Sequence, residues 1–182
     1  MRLIILDRDG VINHDSDEYI KSPDEWRPIP GSPEAIARLH RHGYKVFVIS
    51  NQSGLGRKLF DMDTLGAIHR KMHDTVEEAG GKIEAILYCS HHPRDKCECR
   101  KPAVGLYQDL ANRLGRELKG VPMVGDSLRD LQAAKKMAGK PMLVRTGKGP
   151  KTLATKDPLL DQVEIFDDLQ ECVDYLLEKQ GL

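Results

Sequence analysis

The sequence predicts an α/β protein built on a doubly wound, mostly parallel sheet with helices on both faces. Short, near-continuous apolar runs recur at residues 3–6, 45–50, 83–89, 122–124, 141–144 and 163–166, and stretches with helical spacing separate them. Strands buried on both faces read as unbroken apolar runs, whereas half-exposed strands alternate. The resulting βαβα order is that of a Rossmann-like sheet, in which ligands gather at the carboxyl ends of the strands. With 182 residues, 40% hydrophobic and 31% charged, the chain fits one domain (residues 1–182) with a sizeable core.

The first strand, Leu3-Ile4-Ile5-Leu6, runs straight into Asp7-Arg8-Asp9-Gly10. Side chains two apart on a strand point the same way, and two carboxylates so placed repel unless a cation or a shared proton offsets them. A hard Mg²⁺ ion, held by one or two carboxylates plus phosphate oxygens, satisfies both and points to phosphate chemistry. Alone, Asp-x-Asp-Gly is a weak motif that better describes a strand-to-loop turn. After a long irregular segment (residues 13–31), with Trp26 as its apolar anchor, Ser32-Pro33-Glu34 reads as an N-cap followed by proline at the first helical position. Ile36, Leu39 and His40 keep the helical spacing and Gly43 ends it.

The second strand ends Val48-Ile49-Ser50-Asn51-Gln52-Ser53-Gly54, where a hydroxyl and backbone N–H groups can hold phosphoryl oxygens. The next helix starts near Asp61 or Asp63, carries Leu65, Ile68, Met72 and Val76 on one face, and stops at Gly80-Gly81. Residues 50–83 therefore hold a loop and one helix, with no room for an inserted cap domain, so the site should be open to a small substrate.

The third strand leads to Cys89-Ser90-His91-His92 and then Cys97-Glu98-Cys99. Three thiolates and an imidazole, from His91 or His92, suit tetrahedral Zn²⁺, and four protein ligands leave no open position, so this zinc would be structural. Arg100 and Lys101 come immediately after. Lysine can neutralise charge on a transferring phosphoryl group, and arginine can grip a second anionic group bidentately. A helix over residues 105–114 comes next. The fourth strand opens into Gly125-Asp126-Ser127-Leu128-Arg129-Asp130, where Asp126 can complete the metal's oxygen shell and Asp130, one turn on, can orient Lys101; Asp126 or Ser127 also suits the N-cap of a helix over residues 127–137. A last helix spans residues 167–179.

Lys plus Arg and Asp plus Glu number 28 each, so no net field draws nucleic acid or an anionic membrane. No apolar stretch reaches membrane-spanning length and the N-terminus enters a strand instead of a secretory signal, which suggests a cytoplasmic protein. Cys172 lies far from the other cysteines in a helical pattern and reads as a buried apolar residue. His40, His42, His69 and His73 read as surface or core-edge residues.

Asp7-x-Asp9-Gly10-Val11, the Ser50-Asn51 strand end, Lys101 and Gly125-Asp126-x-x-x-Asp130 together resemble the four motifs of the haloacid dehalogenase superfamily, in their usual order and over residues 3–146. Asp-Arg-Asp-Gly, the cysteine loop and Cys-Arg-Lys-Pro are shared with its small capless heptose bisphosphate phosphatases and with the related histidinol-phosphatases. The run from Gln52 to Arg57 with Phe60 looks like the former. The resemblance implies that Asp7 is a nucleophile forming an aspartyl-phosphate, and that Asp9 protonates the leaving sugar oxygen and then activates water. It implies Mg²⁺ between the Asp7 carboxylate, the Asp9 carbonyl and Asp126, with Ser50 and Lys101 holding the phosphoryl group and Cys89, His91, Cys97 and Cys99 on zinc. The implied substrate is a phosphorylated sugar, handled by a monomer. Arg100, Asn51 and Arg57 would supply donors for the remote phosphate, Gln52 and Ser53 further contacts, and the loop from Asp15 to Tyr19 would close over the sugar. Its product would feed lipopolysaccharide-core or ADP-heptose synthesis. The alternatives are a histidinol-phosphatase and, in another class, a zinc-stabilised phosphoryl-binding module without catalysis.

Overall fold

A computed structural model describes residues 2–179 and 181. Six strands form one sheet in the order β3-β2-β1-β4-β5-β6: β1 (Arg2–Leu6), β2 (Tyr44–Asn51), β3 (Ile83–Cys89), β4 (Pro122–Gly125), β5 (Lys140–Val144) and β6 (Glu164–Phe166). Every pairing is parallel. The chain steps outward from β1 to β2 and β3, then returns to β4 on the opposite side. The topological switch therefore lies between β1 and β4, where a crevice opens beyond the strand ends.

Alternation along β1 sorts the core into two layers. Ile4 and Leu6 pack with Val46 and Val48 against α1 (Ser32–Arg41), α3 (Met62–Glu78) and α7 (Leu169–Glu178). Leu3 and Ile5 pack with Phe47 and Ile49 against α4 (Gly105–Leu114) and α5 (Leu128–Lys136). The buried residues of α3 are Leu65, Ile68, Met72 and Val76, the stripe its 3.6-residue spacing requires, and Asp61 caps it by accepting from the Thr64 N–H. Cys172 and Trp26 are fully buried. The Lys71 ammonium clasps the loop at Trp26, donating to the Pro23 carbonyl at 2.6 Å and the Trp26 carbonyl at 3.0 Å.

Ser32 is not the cap of α1. It is the first helical residue, its buried hydroxyl donates to the Val11 carbonyl at 2.8 Å, and Gly31, at φ +86°, takes the N-cap position. Two short helices arise inside stretches that carry no helical pattern: α2 (Ser53–Gly56) and α6 (Gly149–Ala154). Between β2 and β3 the chain forms only α2 and α3, so nothing of domain size covers the crevice. No helix among the described residues is long and apolar enough to cross a membrane.

Candidate active site and metal centres

Asp7 is the first residue past β1, and its N–H extends the ladder to the Val124 carbonyl at 2.9 Å. Its carboxylate lies 3.0 Å from the Lys101 ammonium, which is 2.7 Å from Asp130 and donates to the Ile49 carbonyl at 2.8 Å. Ser127 in turn donates its N–H and hydroxyl to Asp130 at 3.0 and 2.5 Å, closing a capping box at the start of α5. Burial opposes the Lys101 charge, yet Asp130 and Asp7 more than offset it and hold the ammonium above its ordinary range. Asp130 is held low by the same contact, against its own burial. The sequence assignment of Asp130 as the residue that orients Lys101 thus has a direct geometric counterpart.

Carboxylate oxygens of Asp7, Asp126 and Asp130 come within 4.8 Å of one another. Burial pushes Asp7 up to about 6, with Lys101 opposing and Asp130 and Asp9 adding. Burial pushes Asp126 to about 8, reinforced by Asp7 and Asp130. Acids that crowd together without a counter-ion are what a divalent cation relieves, and all-oxygen donors suit Mg²⁺. Because Asp130 is committed to Lys101 and Ser127, the two acids left for a cation are Asp7 and Asp126. The space around Asp126 is kept by glycine: a Cβ at Gly10 or Gly147, both at positive φ, would stand 2.0 or 2.3 Å from its Oδ2. That oxygen accepts the Lys148 N–H at 2.7 Å, while the Asp126 carbonyl accepts the Thr152 hydroxyl at 2.8 Å.

Asp9 occupies a different environment. Fully buried Arg8 grips both of its oxygens at 2.9 and 3.0 Å, and Asn13 and Gln52 donate to it at 2.9 Å each. Burial alone would raise the acid; Arg8, Asn13 and Gln52 together hold it below its ordinary value. Gln52 also donates to the buried Ser50 hydroxyl at 2.8 Å, linking the ends of β1 and β2. Asn51 uses both ends of its amide on the Lys101 main chain, donating to its carbonyl at 3.2 Å and accepting its N–H at 3.0 Å. Sequence offered Asn51 as a donor to a remote anion; it lines the cleft, and in the fold its amide also fastens the lysine.

The second centre begins where β3 ends. Cys89, His91, Cys97 and Cys99 bring their ligand atoms together, with sulfur–sulfur separations of 3.2, 3.4 and 3.5 Å and His91 Nδ1 at 3.1 Å from Cys99 and 3.7 Å from Cys89. A tetrahedron with arms of about 2.0–2.3 Å has edges of about 3.3–3.8 Å, so the set fits a structural zinc. His92 is not in the cluster; its Nδ1 accepts the Arg94 N–H in a short 3₁₀ turn, Pro93–Asp95. The loop is gripped from two sides: a Cβ at Gly56 of α2 would meet the His92 nitrogen at 2.4 Å, and the Gly105 N–H of α4 donates to the Glu98 carbonyl at 2.9 Å. Lys101, two residues past Cys99, inherits that rigidity.

A cleft of about 260 Å³ joins these parts, lined by Asp7, Asp9, Asn51, Gln52, Ser53, Arg100 and Asp126, with Asp15, Ser16, Asp17, Tyr19 and Ile20 along one wall. The wall is clasped by ion pairs from Lys148 to Asp15 at 3.1 Å and from Lys151 to Asp17 at 3.5 Å. Arg57 is not among the lining residues; its guanidinium sits 5.7 Å from the centre of the Tyr19 ring and reaches the cleft only through it. Arg129 and Lys148 also line the cleft and sequence reasoning passed over both. Lys148 lies just past the end of β5, so the strand-end rule that found Asp7, Ser50 and Asp126 could have found it. Arg8 gave a signal too, an arginine between two acids.

A model of the haloacid dehalogenase-like hydrolases matches residues 2–138. The chain is 52% identical over 179 residues to the D-glycero-beta-D-manno-heptose-1,7-bisphosphate 7-phosphatase of Bordetella bronchiseptica, covering 98% of this chain and 99% of that one. It is 48% identical to the enzyme of the same name from Neisseria meningitidis serogroup A, covering 100% and 97% of the two chains. Among solved structures, the D,D-heptose 1,7-bisphosphate phosphatase of B. bronchiseptica, complexed with magnesium and phosphate, superposes with a TM-score of 0.95, 52% identity and coverage of 98% and 99%. That of Burkholderia thailandensis gives 0.76 at 45% identity, with coverage of 97% and 99%.

Proposed function

The chain belongs to the haloacid dehalogenase-like hydrolases, and from that premise we propose that it is a Mg²⁺-dependent phosphatase removing the 7-phosphate of D-glycero-D-manno-heptose 1,7-bisphosphate. The observation that carries the reading is a single one: Asp7 stands in an open cleft with Lys101 at 3.0 Å on one side and Asp126 among the crowded acids on the other.

In this reading the Asp7 carboxylate attacks phosphorus, the bond to the C7 oxygen breaks, and an aspartyl-phosphate forms. Lys101 and the Ser50 hydroxyl hold the phosphoryl oxygens. The incoming phosphate dianion raises the proton affinity of Asp9 by like-charge repulsion, and Asp9, protonated, gives its proton to the departing sugar oxygen. Left as a carboxylate, the form that Arg8, Asn13 and Gln52 favour, Asp9 then takes a proton from water, whose oxygen attacks phosphorus and frees Asp7 and inorganic phosphate. Asp7 and Asp126, with the Asp9 carbonyl, would hold Mg²⁺, which when bound would supply positive charge to offset the repulsion between an anionic nucleophile and an anionic phosphate. Arg100 lies across the cleft for the phosphate that stays on C1, Ser53 and Gln52 border the sugar, and the wall from Asp15 to Tyr19 covers it. The cleft draws its acids and its arginines from one chain and needs no second copy to complete it, in keeping with a monomer acting in the cytoplasm on a free sugar phosphate.

Phosphate release from both anomers of the heptose bisphosphate and from histidinol phosphate tests the reading. We expect kcat/KM for the β anomer to lead histidinol phosphate by at least about tenfold, or ~1.4 kcal/mol of transition-state binding. Parity, or a lead for histidinol phosphate, would overturn it.

A further inference from the structure

We propose that His69 is a positioning residue for the acid–base step: through one buried water its Nε2 anchors the outer edge of Arg8 and so fixes the aim of Asp9. The inference rests on the reading above and deepens it, since it takes Asp9 as the group that protonates the departing oxygen of an alkyl phosphate.

His69 stands on the core side of α3. The buried stripe of that helix is Leu65, Ile68, Met72 and Val76, and residue 69 falls on it, four after Leu65 and three before Met72. Ile68 and Met72 pack in one layer with Val11 and Ile12, which follow directly on the turn that carries Arg8 and Asp9. The imidazole meets Tyr88 edge-on, with 5.6 Å between ring centres, and its Nε2 is buried without a hydrogen-bond partner. Burial and then the Arg8 charge, with His73 adding and Asp9 opposing, hold the ring down to about 4. At neutral pH the imidazole is therefore uncharged, and with its proton on Nδ1 it offers Nε2 as an acceptor.

Arg8 carries the complementary defect. Its Nε and Nη2 form the edge that grips the two Asp9 oxygens at 2.9–3.0 Å, whereas Nη1, on the other edge, is buried and has no partner. Asn13, whose Nδ2 donates to Asp9 at 2.9 Å, leaves its Oδ1 buried and unanswered. One donor and two acceptors beside the Arg8–Asp9 pair are the complement of a single water, which accepts from Nη1 and donates to His69 Nε2 and Asn13 Oδ1. Buried waters characteristically make about three such bonds to groups that are otherwise unpaired. A planar guanidinium held on both edges cannot swing, so the carboxylate it grips keeps its direction, and a reaction that depends on an aimed group loses rate steeply when the aim drifts.

The test measures kcat/KM on the heptose bisphosphate and on p-nitrophenyl phosphate for the wild type, His69→Leu, His69→Gln and His69→Asn. That ratio covers the steps up to departure of the leaving group, so hydrolysis of the aspartyl-phosphate does not enter it, and a nitrophenolate leaves without needing a proton. We expect His69→Leu to lower the value on the sugar ester by about 10- to 100-fold and on the aryl ester by less than about twofold. His69→Gln, whose amide oxygen reaches as far as Nε2, should recover most of the loss; His69→Asn, whose oxygen reaches only as far as Nδ1, should not. An undiminished rate, equal losses on the two esters, or equal behaviour of the Gln and Asn variants would overturn the proposal. If His69→Leu does not fold, the Gln and Asn variants on both esters decide it. If the wild type does not turn over the heptose bisphosphate, the sugar assignment fails separately and histidinol phosphate, also an alkyl ester, takes its place in the comparison. Hydrolysis of neither alkyl ester ends the inference, because no acid step is then left for His69 to serve.

Discussion

The acids beyond β1 and β4 and the thiols beyond β3 are both clusters of anionic donors drawn together by strand ends, yet they solve the problem of crowding differently. Around Asp7 the protein supplies one cation of its own, Lys101, and leaves the cleft side open. Around Cys89, His91, Cys97 and Cys99 it supplies four donors at near-tetrahedral spacing and leaves no position for water or substrate. An open, under-neutralised cluster is suited to binding a reacting anion; a closed one only holds chain. The two meet at Lys101, anchored by the closed centre and acting at the open one.

Substitution at each centre should separate these roles. Asp7→Asn should lower phosphate release by at least about 10³-fold while circular dichroism and zinc content stay as in the wild type, because the isostere keeps its space but cannot attack phosphorus. Measurable burst kinetics in that variant would erase the distinction drawn for the open centre. Cys97→Ser should do the reverse, lowering zinc per chain and the thermal midpoint by about 6 °C, roughly 2 kcal/mol for a chain of this length, with the loss in turnover secondary. Full zinc occupancy in Cys97→Ser would remove it from the closed set.

The open centre also has a pH signature. Asp126 sits at about 8 in the fold against an ordinary 3.8, so in EDTA its contribution to stability is complete below about pH 4 and is lost as the pH rises through about 8. Asparagine does not titrate. Asp126→Asn should therefore be more stable than the wild type in EDTA at pH 8, by about 2 kcal/mol, with the gain shrinking toward pH 5 and reversing when Mg²⁺ is added. Differential scanning calorimetry across that range would show it; a gain that is flat with pH would mean the acids are not in conflict. The smallest effect concerns the tie between the centres. Asn51→Ala removes two hydrogen bonds to the Lys101 main chain and should reduce kcat/KM by about tenfold without changing metal content.

Much of this was legible in the residues, for identifiable reasons. The strands announced themselves because each is apolar on both faces, and α3 because Leu65, Ile68, Met72 and Val76 repeat at helical spacing. Asp7, Ser50 and Asp126 stood out because each is a polar residue at the carboxyl end of an apolar run, and the zinc ligands because of their spacing and element preference. Ser32 misled, since a serine before Pro33 looks the same whether its hydroxyl turns to its own helix or to the Val11 carbonyl across the fold. The helices α2 and α6 were invisible because four and six residues carry too little periodicity to register, and tertiary contacts decide them. Asn51 and Arg57 were assigned by residue chemistry alone; which partner a side chain takes is settled only when segments 50 residues apart in sequence are brought together, as with Asn51 and Lys101.

The tethering of Asp126 reaches past the recognisable part of the chain. Thr146 donates to the Gly10 carbonyl at 2.6 Å, Lys148 to the Asp126 carboxylate and Thr152 to its carbonyl, and all three lie beyond residue 138, where the family match stops. A nascent chain that has emerged only to β5 would display every catalytic signature and still lack the clamp that aims its third acid. The aim of the third acid thus depends on the docking of the C-terminal quarter, a stretch that carries none of the four motifs.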